Sequence, residues 1–474
     1  MLTLTHYDQK IAAVLGLSRT GLAACRAVIA GGGRVWAWDD DLAKRKAASD
    51  QGFPIVDLNL CNWERVESLV LSPGIPLRHP KPHRLVKRAR AAGVDVIGDM
   101  ELLAQNQPER RIVGVTGTNG KSTTSTLIAH ILTNAGIGTQ LGGNIGLPVL
   151  DLLPKPVEDI YVLELSSYQL DLTERLKCAV AVILNLSPDH LDRHGGMAGY
   201  VRAKRRILRN QEAGDWAVIG VDDPYGRKIA RDLEKADDRR VVPISAAGRA
   251  EGGVYVADGE LIDDLDGRAD AVGRIDAFPH LKGAHNGQNM AAAYAAARAM
   301  GAAPAAILQG MAGFPGLAHR LELVGRIDGI AFVNDSKATN PDAAARALAS
   351  FEDIYWIAGG KPKQDDLDAV LPYLRNVRRA YLIGEAAPRF HELLDGRVER
   401  VISTTLDQAF HAANDDAHRD GRAKATVLLA PACASFDQFS SFEARGDAFR
   451  RLVESRSEAP SQAAAAGSAG SGGR

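Results

Sequence analysis

The chain has 474 residues, too many for one ordinary domain, so two to four are expected. A hydrophobic content of 46% with 24% charged residues is the balance of a globular protein in water and excludes a disordered or fibrous chain. Lys and Arg number 57 against 58 Asp and Glu, a formal net charge of −1, so nothing global attracts a nucleic acid or an anionic membrane.

Apolar runs of strand length alternate with helical patterns from end to end, the sign of parallel α/β units. A strand is expected at 11–15, then the turn Gly16-Leu17-Ser18-Arg19-Thr20-Gly21, a helix ending at Gly31-Gly32-Gly33, and a strand at 34–38 closing on Asp39-Asp40. This is the layout of a nucleotide-binding half-sheet, with Asp39 a candidate partner for a ribose or a base. The turn lacks the middle glycine of the dinucleotide fingerprint, so a nicotinamide-dependent dehydrogenase is disfavoured. Leu71-Ser72-Pro73-Gly74-Ile75-Pro76 ends a further strand and is expected to line the same crevice. Lys87-Arg88-Ala89-Arg90 reads as a solvated helix face.

A second unit is expected from Asp99. A strand at 112–116 leads into Gly117-Thr118-Asn119-Gly120-Lys121-Ser122 and a helix from 121 to about 135. Strand, glycine turn and helix start are what a phosphate loop needs, because backbone N–H groups of the turn and the helix N-terminus converge on phosphate oxygens. Lys121 supplies a charge to the β and γ phosphates and the Ser122 hydroxyl can ligate Mg²⁺, so ATP use is expected. Further strands are expected at 160–165, 180–184 and 216–221, with an antiparallel addition over 252–276. Glu164 closes the first of these, where an acid commonly meets a metal ion. His190 and His194 follow the second at a spacing that suggests zinc, but Pro188 and Gly195-Gly196 leave little room for a helix to hold both rings. Lys204, in the helical pattern 200–208, reads by itself as a surface lysine.

A third unit is expected from about Leu317, with strands at 330–334, 354–358, 380–383 and 425–429. From Ser457 the chain turns to Ser, Ala and Gly and is expected to be disordered. Four scattered cysteines without a CxxC pair argue against structural zinc and against a disulfide framework. No signal-peptide pattern and no membrane-length apolar run is apparent, and the Ala-rich stretch 291–306 reads as a buried helix. A cytoplasmic location without membrane insertion is therefore expected.

Taken together, Thr116–Ser122, Glu164-Leu165-Ser166-Ser167, 185–192, His285-Asn286 with Asn289, His319-Arg320, Asn334-Asp335-Ser336-Lys337-Ala338-Thr339-Asn340 and Ala430-Pro431-Ala432-Cys433-Ala434-Ser435-Phe436-Asp437-Gln438-Phe439 resemble the Mur ligases of peptidoglycan synthesis. The resemblance is nearest to the D-glutamate-adding branch. It implies three domains: 1–98 for a UDP-linked substrate, 99–316 for ATP, and a Rossmann-like 317–456 for the amino acid, with 457–474 as a tail. It implies that ATP phosphorylates the carboxylate of UDP-N-acetylmuramoyl-L-alanine and that D-glutamate attacks the acyl phosphate. A monomer acting on small molecules, without nucleic acid, is expected.

Carried over by position, the resemblance assigns Gly117, Thr118, Asn119, Gly120, Lys121, Ser122 and Thr123 to the phosphates of ATP. Asn286 and Asn289 fall to its adenine, Arg320 to a phosphate, and Asp335 to its ribose. It gives Ser122, Glu164, His190 and Lys204, the last as an N-carbamate, to Mg²⁺. Leu17, Ser18, Asp39, Gly74 and Asn144 fall to the UDP-linked substrate, Thr339, Lys363, Ser435 and Phe442 to D-glutamate, and Lys337 to charge near the acyl phosphate. Lys361 and Lys363 both stand in the glycine-rich turn where the family usually has one lysine.

Overall fold

The computed structural model describes residues 1–236, 239–278, 280–281, 284–362 and 366–458, with the side chains of residues 284, 285 and 458 excepted. Chain contacts divide it into two compact units, Met1–Pro315 and Gly316–Arg474.

The first unit holds two sheets. Strands β1 (Ile11–Leu15), β2 (Arg34–Trp38), β3 (Ser68–Leu71) and β4 (Asp95–Ile97) form a parallel sheet in the order β2-β1-β3-β4. β1 and β3 are buried along their whole length, which is why they read as unbroken apolar runs. The chain reverses direction across the sheet between β1 and β3, and a crevice opens beyond their carboxyl ends. Lys87, Arg88 and Arg90 are exposed on the helix Arg84–Ala91, as expected.

The second sheet has nine strands: β5 (Ile112–Thr116), β6 (Thr139–Gly143), β7 (Ile160–Glu164), β8 (Val180–Ile183), β9 (Trp216–Gly220), β10 (Arg240–Ser245), β11 (Val254–Ala257), β12 (Glu260–Asp263) and β13 (Asp270–Arg274). Their order is β13-β12-β11-β10-β9-β8-β5-β7-β6. All pairs from β6 to β11 are parallel, and β12 and β13 add the antiparallel extension expected over 252–276. Parallel strands bring the loops after β5, β7 and β8 to one edge, which collects the phosphate loop, Glu164 and the 185–194 loop. The Ala-rich stretch departs from expectation. It covers the end of one helix (Ala284–Ala299) and the start of another (Pro304–Ala312), because Gly301 takes the left-handed conformation at φ 94° and Pro304 opens a new first turn.

In this unit Asp99 starts the helix Asp99–Asn106 and is 2% exposed. Gln169 Nε2 donates to its Oδ2 at 3.3 Å, and burial pushes its pKa from 3.8 up to about 6. Between those values the folded state binds more protons than the unfolded chain, so stability falls as pH rises through that window. Asp99→Asn is therefore expected to stabilise the protein at about pH 8 by roughly 2–3 kcal/mol, with the gain fading below about pH 4. Thermal melts at both pH values check it; an equal gain at each would mean that the charge is not the cause.

The second unit carries β14 (Glu322–Ile327), β15 (Ile330–Asn334), β16 (Ile354–Gly359), β17 (Val377–Ile383), β18 (Glu399–Thr404) and β19 (Thr426–Leu429) in the order β14-β15-β19-β16-β17-β18. All pairs are parallel except β14 with β15. The carboxyl ends of β15, β16 and β19 again share an edge. The last helix, Phe442–Glu458, includes Ser457 and Glu458, so the expected tail begins two residues later than Ser457 at the earliest; the rest of it lies outside the described residues.

Candidate active site

The helix Lys121–Asn134 begins at Gly120, a left-handed N-cap (φ 86°) that offers no side-chain acceptor. The first-turn N–H groups are thus left for an anion, at the positive end of the helix dipole. A Cβ at Gly120 would stand 2.2 Å from Oδ1 of Asn289, so only glycine fits there. Asn289 is buried, accepts from Thr124 Oγ1 (3.2 Å) and donates to Asn286 Oδ1 (2.9 Å). The two asparagines that the resemblance gave to adenine therefore pack together, and Asn289 buttresses the loop.

Asn185 holds the other side of the loop. Its backbone oxygen accepts from Thr118 N at 2.8 Å and its Oδ1 from Asn119 N at 2.9 Å. Thr118 Oγ1 lies 3.0 Å from the Tyr200 hydroxyl and accepts from Ser187 N at 3.0 Å. Ser122 is buried and Thr123 half-buried in the helix's first turn.

Two lysine amines meet on one carbonyl. Lys121 Nζ donates to Gly117 O (2.9 Å) and Thr118 O (2.8 Å), and Lys204 Nζ donates to Gly117 O (2.7 Å) and Thr116 Oγ1 (3.3 Å). Lys204 is not the surface lysine its sequence pattern suggests. It is 2% exposed, on the helix Met197–Arg205, over the Tyr200 ring. Burial, reinforced by the Lys121 charge, brings its pKa down from 10.5 to about 7. A substantial neutral fraction at physiological pH makes this amine a nucleophile as well as a donor.

Glu164, at the end of β7, is 2% exposed. Asn144 Nδ2 donates to its Oε1 at 2.6 Å, while Oε2 is buried with no hydrogen-bond partner among the described residues. An orphaned carboxylate oxygen beside a phosphate loop suits a hard divalent cation, for which carboxylate, carbamate and hydroxyl oxygens are the fitting ligands. His190 is exposed on left-handed backbone (φ 51°), its ring 5.1 Å from that of Tyr168. No hydrogen bond joins it to Glu164 or Lys204 among the described residues. His194 is buried and its Nε2 lies 2.9 Å from Ser167 Oγ, between the rings of Tyr168 and Tyr200. The pair does not form a zinc site, and no cluster of three metal-ligating side chains occurs among the described residues.

Beside this group lies a cleft of about 600 Å³ between the loops of the two sheets in the first unit. Ser18, Asp39, Gly74 and Asn144 line it, as do Arg19, Thr20, Ser72, Tyr168 and Gln169. Leu17 does not. Its side chain is in the core, and its N–H donates to Asp39 Oδ2 at 2.8 Å. Asp39 thus spends one carboxylate oxygen on the turn and the other on Asp41 N at 3.0 Å. Arg193, not singled out from sequence, donates to the carbonyls of Gly74 (2.7 Å), Ile75 (3.0 Å) and Pro73 (3.2 Å) and lies over the Tyr168 ring. It ties the β3 turn to the loop bearing His190. Asn144 belongs to both features, lining the cleft and holding Glu164.

In the second unit, Asp335 is buried and accepts from Leu321 N at 3.2 Å, and burial raises its pKa to about 7. Arg320 is exposed. Lys337 Nζ lies 5.6 Å from the centre of the Phe442 ring. Thr339 is half-buried and its N–H donates to Lys337 O at 2.8 Å. Ser435 is buried, and its hydroxyl has no hydrogen-bond partner among the described residues. Lys363 lies outside the described residues.

Residues 115–297 match the profile of the Mur ligase middle domain, and 319–433 that of the Mur ligase, glutamate ligase domain. The chain is 51% identical over 473 residues to UDP-N-acetylmuramoylalanine--D-glutamate ligase of Caulobacter vibrioides (strain NA1000 / CB15N), covering 98% of this chain and all of that one. It is 50% identical to the enzyme of the same name from Phenylobacterium zucineum (strain HLK1), again over 98% of this chain and 100% of that one. Among solved structures it is similar to a UDP-N-acetylmuramate-alanine ligase from Thermotoga maritima, with TM-score 0.56 at 17% identity over 95% of this chain and 100% of that one. It is also similar to a UDP-N-acetylmuramoyl-L-alanyl-D-glutamate--2,6-diaminopimelate ligase, with TM-score 0.56 at 20% identity over 84% and 94%. At such identities these two speak for the α/β fold with mostly parallel sheets.

Proposed function

The chain belongs to the Mur ligase family, and on that premise we propose that it is an ATP-dependent ligase joining D-glutamate to UDP-N-acetylmuramoyl-L-alanine in peptidoglycan precursor synthesis. The observation that carries this reading is whole-length identity of about half its residues with ligases of that name.

The chemistry follows from what a carboxylate lacks. Its oxygen is a poor leaving group, so amide formation needs activation. An oxygen of the substrate carboxylate attacks the γ-phosphorus of ATP, the bond to the β-phosphate oxygen breaks, and ADP leaves. The amine of D-glutamate then attacks the acyl carbon, loses a proton, and the tetrahedral adduct expels phosphate. Phosphoryl transfer of this kind depends on positioning and charge. The N-terminus of the helix Lys121–Asn134 and the Lys121 ammonium neutralise the phosphates. Glu164, Ser122, His190 and a carbamylated Lys204 would hold Mg²⁺, which when bound supplies positive charge to the phosphoryl oxygens.

On this proposal 1–98 receives the UDP-linked substrate, 99–316 ATP and 317–456 the amino acid. Ser18, Asp39, Gly74 and Asn144 serve the first, with Leu17 acting only through its backbone. Asn286, Asn289, Arg320 and Asp335 serve ATP; Thr339, Lys363, Ser435 and Phe442 serve D-glutamate; and Lys337 serves the developing negative charge. A monomer in the cytoplasm is part of the proposal; no helix among the described residues is long and apolar enough to cross a membrane.

Purified protein is expected to release phosphate from ATP with UDP-N-acetylmuramoyl-L-alanine and D-glutamate together, and not when L-lysine, L-alanine or L-glutamate replaces the amine. Phosphate release without either acceptor would mark a plain NTPase. Turnover with a folate and L-glutamate would overturn the substrate assignment.

A further inference from the structure

One cation of the second unit is almost sealed from water. Arg445, in the opening turn of the helix Phe442–Glu458, is 1% exposed. Its Nε donates to Ser336 Oγ (3.0 Å), Nη2 to the carbonyls of Ser336 (2.9 Å) and Cys433 (3.0 Å), and Nη1 to that of Ala434 (3.2 Å). Ser336 Oγ in turn donates to Phe442 O at 2.8 Å. The turn after β16 closes on the same group: a Cβ at Gly360 would lie 2.3 Å from Ala434 O and 3.0 Å from Nη1. One guanidinium therefore fastens the loops after β15 and β19 to the start of the last helix, with the β16 turn packed against it.

Only arginine can do this. The acceptors lie in several directions around a planar fork of five N–H donors, whereas a lysine offers three from a single point. None of the acceptors is a carboxylate among the described residues. Burial lowers the guanidinium's pKa to about 10, so it stays charged at neutral pH. A buried charge whose hydrogen-bond acceptors are all neutral is costly, and the Asp437 carboxylate attracts it through space without a hydrogen bond. The guanidinium lies beside Ser435, whose buried hydroxyl has no hydrogen-bond partner among the described residues and which follows the Ala434 carbonyl held by Nη1.

We infer that Arg445 is a positioning residue for the amine substrate, setting the Ser435 hydroxyl and the Phe442 helix start around a dicarboxylic amino acid and supplying a positive charge for its carboxylates. The inference rests on the proposed use of D-glutamate. Arg445 orders the neighbours of Thr339, Ser435 and Phe442 without contacting the reacting atoms.

The test is steady-state kinetics of the full chain with each substrate varied in turn. Arg445→Lys is expected to raise the KM for D-glutamate by about 10- to 100-fold, the loss of charge-assisted hydrogen bonds to several acceptors at once. Its kcat and its KM for ATP and for the UDP-linked substrate should stay within about threefold, and the charge-free Arg445→Met should be worse than lysine for D-glutamate. An unchanged KM for D-glutamate in Arg445→Lys overturns the inference. So does a rise of all three KM values together with a lowered melting temperature, which would mark a purely structural role. If neither variant folds, Ser336→Ala, which removes one acceptor, carries the test. A selective rise of about 3- to 10-fold supports the inference and no selective rise overturns it. Wild-type protein that ignores D-glutamate but uses another amino acid would overturn the substrate reading instead.

Discussion

Lys121→Met is expected to lower ATP-dependent ligation by about 10²- to 10³-fold while leaving the melting temperature nearly unchanged. Lys121 is half-buried, and its ammonium donates to two carbonyls of its own loop. Methionine keeps most of the aliphatic stem and removes the charge, so the loss falls on the phosphates and little on packing. The deficit should appear in kcat rather than in the KM for D-glutamate, because the charge matters most as the γ-phosphoryl group moves. Phosphate release with all three substrates present measures it. Retention of more than about a tenth of the activity would remove Lys121 from the reaction.

Lys204→Ala is expected to cost about as much, for a different reason. The side chain is buried, its amine shares the Gly117 carbonyl with Lys121, and its pKa is brought down to about 7. A neutral amine can add to carbon dioxide: the nitrogen lone pair forms the N–C bond, a C=O pair moves onto oxygen, and the nitrogen loses a proton to water. Formate or bicarbonate is expected to restore part of the activity of Lys204→Ala by supplying carboxylate oxygens in the vacated space. Independently of activity, wild-type protein equilibrated with ¹³C-bicarbonate should show a carbamate carbon resonance in NMR that the variant lacks. Absence of both rescue and resonance would leave Lys204 acting as an amine donor to the loop.

The sheet centres were legible in sequence and the edges were not. β1, β5 and β15 match their expected limits to the residue because each is a fully buried apolar run bounded by turn residues. β6, β14 and β18 went unread because their residues are mostly half-buried or exposed, and β10 because Pro243 interrupts its pattern. The phosphate loop announced itself through local spacing. Lys204 reached the site through family resemblance, since the burial that changes its chemistry comes from how its helix packs beneath the end of β5. Arg193 and Arg445 carried no signal at all. Each acts on backbone carbonyls distant in sequence, and a carbonyl has no identity in a string of residue names.

The contact between Gly120 and Asn289 has a bearing on how this chain can vary. One position supplies the absence of a side chain and the other, far away in sequence, supplies the amide that occupies the space. A replacement at 120 displaces the amide, and no replacement at 289 relieves the left-handed backbone at 120. A substitution at 120 therefore cannot be repaired by a second one at 289, so the loop's tolerance to change is set at the glycine.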